Sequence, residues 1–163
     1  MRLTLSRRST NMIAALVVAA CGMGLLAPSA SANGSIVISG TEAKATMPGA
    51  RVAAAYMQLT NTGKAPVTLT AAASPVCETV ELHTMSMDGG IMRMRQITGG
   101  VTISPGSTIA FTPGGMHLML IGLKQQLTPA AAVPITLTFA GAPAQTLQFP
   151  VKPMGDGGHH HHH

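Results

Sequence analysis

Residues 81–95 read ELHTMSMDGGIMRMR. Two runs of alternating residues flank an Asp-Gly-Gly, the pattern of a β-hairpin closed by a two-residue primed turn. If Asp88-Gly89 is the turn, Met85 faces Met92 and His83 faces Met94. If Gly89-Gly90 is the turn, Met85 faces Met94 and His83 lies on the diagonal. Side chains alternate with period two, so both registers put His83, Met85, Met87, Met92 and Met94 on one face. Methionine is a poor strand former and a flexible core filler, so this loading calls for a chemical reason. The opposite face carries Val80, Leu82 and Ile97, as a core should, but also Arg93 and Arg95. Either that face leaves the core beyond Ile97 or a bulge changes its alternation.

Outward from the hairpin, the chain reads as short strands bounded by turn residues. Strands are expected over 36–40, 53–61, 67–73, 79–87, 91–97, 101–104, 108–111, 117–123, 135–140 and 146–151. Turn signals fall at 61–63, 88–90, 104–106 and 113–115. No segment carries a 3.6-residue apolar stripe and no internal repeat is present. Only 9% of the 163 residues are charged and 2% aromatic, with 18 Gly and 11 Pro, which suits one small β-rich domain. The expected architecture is an all-β sandwich or Greek-key barrel.

The first 32 residues have the parts of an export signal. Arg2, Arg7 and Arg8 precede an apolar run over 12–26, and Ala30-Ser31-Ala32 places cleavage after Ala32. That run is shorter than the roughly 20 residues a spanning helix needs. A periplasmic location follows. Val18-Ala19-Ala20-Cys21 resembles a lipobox, which would make Cys21 a lipidated N-terminus, although residues 22–27 stay apolar where a polar tether is usual. Ser6-Arg7-Arg8 hints at a twin-arginine signal, against which Thr10 and Asn11 stand in apolar positions.

The mature domain is expected over 33–152. From Asn33 onward seven basic residues meet five acidic ones, a net charge of +2. No basic run and no aromatic interleaving remain, so nucleic-acid binding has no support. With Cys21 gone, Cys77 is the only cysteine and no internal disulfide can form; a small apolar core residue is the expected role. Residues 153–163 form a flexible tail ending in His159, His160, His161, His162 and His163. A purification tag and a native metal-gathering tail, holding Cu(II), both fit it.

A second stretch, PGGMHLM over 113–119, completes the chemistry. On a strand His117 and Met119 point one way, and Met116, Leu118 and Leu120 the other. A lone Met is most often core filler and a lone His most often a surface or hydrogen-bonded residue. Here, however, the two histidines before the tail each sit two residues ahead of a Met on a strand, with Met94 across the hairpin. Thioether is soft and neutral and imidazole borderline, so the set suits Cu(I) far better than Zn(II), Mg(II) or Ca(II).

At these residues the sequence resembles the periplasmic copper chaperones of the PCu(A)C family. That family's pattern is His, ten residues, Met, twenty-one residues, then His-x-Met. Here ten residues separate His83 from Met94, and twenty-two separate Met94 from His117-Leu118-Met119. One extra residue near Gly99-Gly100 accounts for the difference. Further likeness lies in Val80-Glu-Leu-His, Met92-Arg-Met-Arg, Ala54-Ala55-Tyr56-Met57 with Asn61, and Val133-Pro-Ile-Thr-Leu-Thr-Phe139, so the match covers roughly 36–151. Cys77 and Met116 depart from it.

The resemblance implies a cupredoxin-like Greek-key barrel, no catalytic activity, and Cu(I) ligands at His83, Met94, His117 and Met119, with Met85 in reserve. It also implies delivery of copper to the CuA centre of cytochrome c oxidase subunit II, alongside a Sco-type thioredoxin-like protein. A monomer is expected.

Three other functions compete. Copper storage or resistance would use the same ligands. A blue-copper electron carrier needs a Cys ligand close to a His and a Met, and Cys77 is not so placed. A passive Ig-like interaction domain would pack its Met-rich face on a partner. Hydrolase and oxidoreductase roles lack a nucleophile–base pair or a CxxC motif.

Overall fold

The computed structural model describes residues 35–154. The expected export signal, Cys21 and the five-histidine tail lie outside the described residues. Ten strands follow in order: β1 (Ile36–Lys44), β2 (Val52–Asn61), β3 (Val67–Ala73), β4 (Thr79–Asp88), β5 (Ile91–Gln96), β6 (Val101–Ile103), β7 (Thr108–Phe111), β8 (His117–Ile121), β9 (Ala132–Ala140) and β10 (Gln145–Lys152). The described chain is all-β, a cupredoxin-like barrel.

Its strands run β4-β8-β2-β1-β10-β9-β3, and the pair Ala72↔Val80 brings β3 back to β4. The circuit thus removes most free edges. β5 is added outside β4, β6 outside β3, and β7 on the second half of β2. All pairings are antiparallel except β1 with β10.

Alternation decides which residues fill the barrel. Met57, Leu59, Val67, Leu69, Ile103, Phe111, Leu118, Leu120, Ile135, Leu137 and Phe149 are fully buried. Asn61 joins them because its amide is satisfied: Nδ2 donates to the carbonyls of Ala65 and Ile103 at 2.8 and 3.0 Å, and Oδ1 accepts from the Gly63 amide. Cys77 is buried as expected, and burial pushes its thiol pKa up.

Two strand boundaries differ from the sequence expectation in a way that matters. β1 runs past Gly40 to Lys44, because a register shift between Ser39 and Glu42 lets the chain bulge and resume pairing; Gly40 takes a positive φ there. Ala43 and Lys44 then pair with Val151 and Lys152, which carries this strand to the rim of the site described below. β9 begins at Ala132, ahead of the expected start.

The ambiguity over the hairpin's second face resolves by exposure. Every residue of β5 is exposed, and the β4–β5 register runs without a shift from Asp88↔Ile91 to His83↔Gln96. Arg93 and Arg95 stand in solvent, 3.5 and 3.6 Å from Asp88. No bulge is needed; the hairpin simply projects beyond the core once past Ile97.

Candidate metal centre

Gly89-Gly90 is the hairpin turn. Both residues take positive φ, 58° and 81°, as a type I′ turn requires at its two central positions. Of the two registers open to the sequence this selects the second: Met85 is opposite Met94, Met87 opposite Met92, and His83 is diagonal to Met94.

The other half of the site comes from the turn before β8. Thr112-Pro113-Gly114-Gly115 closes with the Gly115 amide donating to the Thr112 carbonyl at 3.0 Å. Pro at the second position and Gly114 at φ 78° at the third are the type II pattern. The Gly115 carbonyl then accepts twice, from the Met85 amide at 3.2 Å and from His117 Nδ1–H at 3.1 Å. One backbone oxygen therefore ties the hairpin to the His117 ring.

Strand pairing assembles the rest. β4 and β8 put His83 directly opposite His117, and Glu81 opposite Met119. Met119 also faces Ala54 of β2. Met85, Met94, His117 and Met119 line one groove of about 540 Å³, with Lys44, Tyr56 and Val52 in the same wall. His83 is not part of that wall but adjoins it, its ring centroid 5.8 Å from that of His117 and the planes tilted by 45°. Met87 and Met92 are exposed towards the hairpin tip. The structure thus brings His117, Met119, Met94 and Met85 around one space with His83 adjoining.

The two histidines are held differently. His117 is buried and anchored through Nδ1, leaving Nε2. His83 Nε2 lies 2.8 Å from Glu81 Oε2, whereas its Nδ1 is buried without a hydrogen-bond partner. An unpaired buried polar atom costs about 1–3 kcal/mol. Such an atom calls for a ligand or some other function. The donor set suits a soft ion: two imidazoles with neutral thioethers beside them. Among the described residues, no three His, Cys, Asp or Glu side chains converge as a harder metal's cage.

Sequence reasoning missed three contributors. Glu81 carries no local signal that it reaches the ring of His83. Met47 and Met154 also line the groove, 63% and 51% exposed. They arrive there because Ala45 continues the β1–β10 contact by donating to the Lys152 carbonyl at 2.8 Å. No local pattern signals that convergence. Across the groove, burial pushes the Tyr56 phenol pKa up, an effect that Lys44 opposes.

Comparison with known proteins shows the family and the fold. The family model described as "Putative lipoprotein LpqE-like" matches residues 36–151. A protein of Leifsonia xyli subsp. xyli (strain CTCB07), named "Putative lipoprotein Lxx21020", is 30% identical over 156 residues, 89% of this chain and 92% of its own length. Among solved structures, CuI-DR1885 of Deinococcus radiodurans is 32% identical, with TM-score 0.57 over 77% of this chain and 85% of its own. The copper-bound PCuAC domain of PmoF2 superposes with TM-score 0.64 at 24% identity, over 76% of this chain and 97% of that domain, a likeness of fold. With the family model spanning the whole barrel and both halves of the His/Met site, the chain belongs to the LpqE-like family of PCuAC-type domains.

Proposed function

We propose that the protein is an exported, non-enzymatic Cu(I) metallochaperone whose ligands are His83, Met94, His117 and Met119, with Met85 in reserve should one histidine not bind. One observation carries this reading: three of those four residues and Met85 line a single groove, and the fourth, His83, adjoins His117. The copper named for CuI-DR1885, a relative at 32% identity, supports the same metal and oxidation state.

Copper is here the cargo. The thioethers are neutral and weakly held, so an acceptor's ligands can replace them one at a time. Met94 is half exposed on a strand that adds nothing to the core, which suits it to be the first donor exchanged. The CuA domain of cytochrome c oxidase subunit II is the proposed acceptor, with a Sco-type protein acting on the same centre. Both rest on the family resemblance. The family model and the Leifsonia relative, both carrying the word lipoprotein in their names, favour anchoring through Cys21 over cleavage after Ala32. The tail His159–His163 is proposed as a separate Cu(II) site.

The test is a Cu(I) competition titration of the protein against Met94→Ala and Met119→Ala. One tight equivalent is expected for the parent and none for either variant, with the fold unchanged. Tight binding retained by both variants would reject the ligand set. Optical titration into an isolated CuA domain then separates delivery from storage: tight binding without transfer would favour storage or resistance.

A further inference from the structure

The two histidines of the site are hydrogen-bonded through different nitrogens, His83 through Nε2 and His117 through Nδ1. We propose that Glu81 is a positioning residue that holds His83 with its proton on Nε2, so that His83 binds Cu(I) through Nδ1 while His117 binds through Nε2. The inference deepens the copper reading and rests on it for the identity of the ion.

The argument begins with what each acceptor can do. A carboxylate only accepts hydrogen bonds, so the 2.8 Å contact between Glu81 Oε2 and His83 Nε2 makes that nitrogen the donor. A neutral imidazole then carries its lone pair on Nδ1. That is the atom found buried without a partner. His117 is arranged in the opposite sense, because the Gly115 carbonyl takes its Nδ1–H at 3.1 Å and leaves Nε2 as the lone pair.

Strand geometry explains why the two differ. Glu81 and His83 are two residues apart on β4 and therefore share a face, so the carboxylate reaches the imidazole of its own strand. Glu81 faces Met119 across β8, which brings its backbone beside a proposed ligand. His117 is the first residue of β8, and the turn behind it presents a carbonyl. Ring separation agrees with a shared ion. With imidazole–metal bonds of about 2.0–2.1 Å, each ring centroid lies roughly 3.2 Å from the ion, which permits centroids up to about 6.4 Å apart. The observed separation is 5.8 Å. Hydrogen bonds from the non-ligating nitrogen to a carboxylate or carbonyl are the usual means of orienting metal-bound histidine.

Long-range proton–nitrogen NMR of the full-length 15N-labelled protein at pH 8 tests this. His83 and His117 are assigned through their strand amides. In the metal-free protein His83 should carry its proton on Nε2 and His117 on Nδ1. One equivalent of Cu(I) should shift His83 Nδ1 and His117 Nε2. Glu81→Gln keeps an acceptor oxygen and should preserve both the tautomer and binding. Glu81→Leu should mix the His83 tautomers and weaken Cu(I) about 10- to 100-fold, with an unchanged amide spectrum reporting an intact fold. An Nδ1-protonated His83 in the metal-free protein, or a Glu81→Leu spectrum identical to the parent's, would overturn the inference. Failure to bind Cu(I) with the His83 tautomer as described would overturn the copper reading and leave the role of Glu81 standing.

Discussion

His83 and His117 stand directly opposite each other on β4 and β8, their rings 5.8 Å apart, although thirty-three residues separate them in the chain. Their pairing makes the two His-x-Met motifs one site. Met85 adjoins through the Gly115 carbonyl and Met119 lies two residues along β8. A hierarchy of donors follows. His117→Ala should weaken Cu(I) by on the order of 3 kcal/mol, about 100-fold. Met85→Leu keeps the shape of the groove wall and should cost less than about tenfold. Competition titration of both variants checks the order; equal losses would make Met85 a full ligand.

The register of the hairpin depends on its two glycines. Gly90→Val places a β-branched side chain at φ 81°, a strain of about 1–2 kcal/mol. The alternative Asp88-Gly89 turn would then compete, moving Met94 from Met85 to His83. Faster amide exchange in β5 and weaker Cu(I) binding are expected together, with the barrel amides unaffected. Asp88→Ala, outside the two-residue turn, should leave the register alone.

Cys77 links stability to alkaline pH. Burial raises its folded pKa above the ordinary thiol value of 9.0. The folded protein therefore keeps its proton where the unfolded chain releases it. The stabilisation is complete below the unfolded pKa and is lost as pH rises through the folded one. Cys77→Ala should flatten the fall in Tm above about pH 9, measured by thermal melts across the alkaline range, even if it lowers Tm at neutral pH by leaving a small cavity.

Ala130 adopts φ 69°, the one non-glycine residue with positive φ among those described, in the turn closed by the Ala131 amide on the Thr128 carbonyl. The left-handed conformation costs an alanine roughly 1–2 kcal/mol. Part of that returns as unfolded-chain entropy when glycine is introduced. Ala130→Gly should therefore raise stability by about 0.5–1 kcal/mol, a few degrees in Tm. Calorimetry decides it, and a lower Tm would show that the turn tolerates the strain through its neighbours.

Much of this molecule was legible in one dimension. Period-two alternation and Gly/Pro punctuation located all ten described strands, because each strand must bury one face and each turn needs its own backbone chemistry. The boundary missed at Thr41–Lys44 lacked a signal: a short polar stretch after Gly40 carries no alternation, and it resumes pairing with β2 only after a register shift, while its other partner, β10, lies over a hundred residues away. The chemistry of the site was equally local. His and Met two apart on a strand share a face whatever the fold, so the soft character of the donor set followed from residue type.

What the tertiary structure decided was arrangement. Two turns were possible in ELHTMSMDGGIMRMR, and the pairing of β4 with both β5 and β8 gives one, with Met85 against Met94. It set His83 beside His117 rather than in the groove wall, brought Met47 and Met154 to the rim, and turned Glu81 onto the ring of His83. Residue type dictates which metal is preferred, because softness belongs to the donor atom. Which nitrogen faces it depends on hydrogen bonds between groups that only the closed barrel brings within about 3 Å.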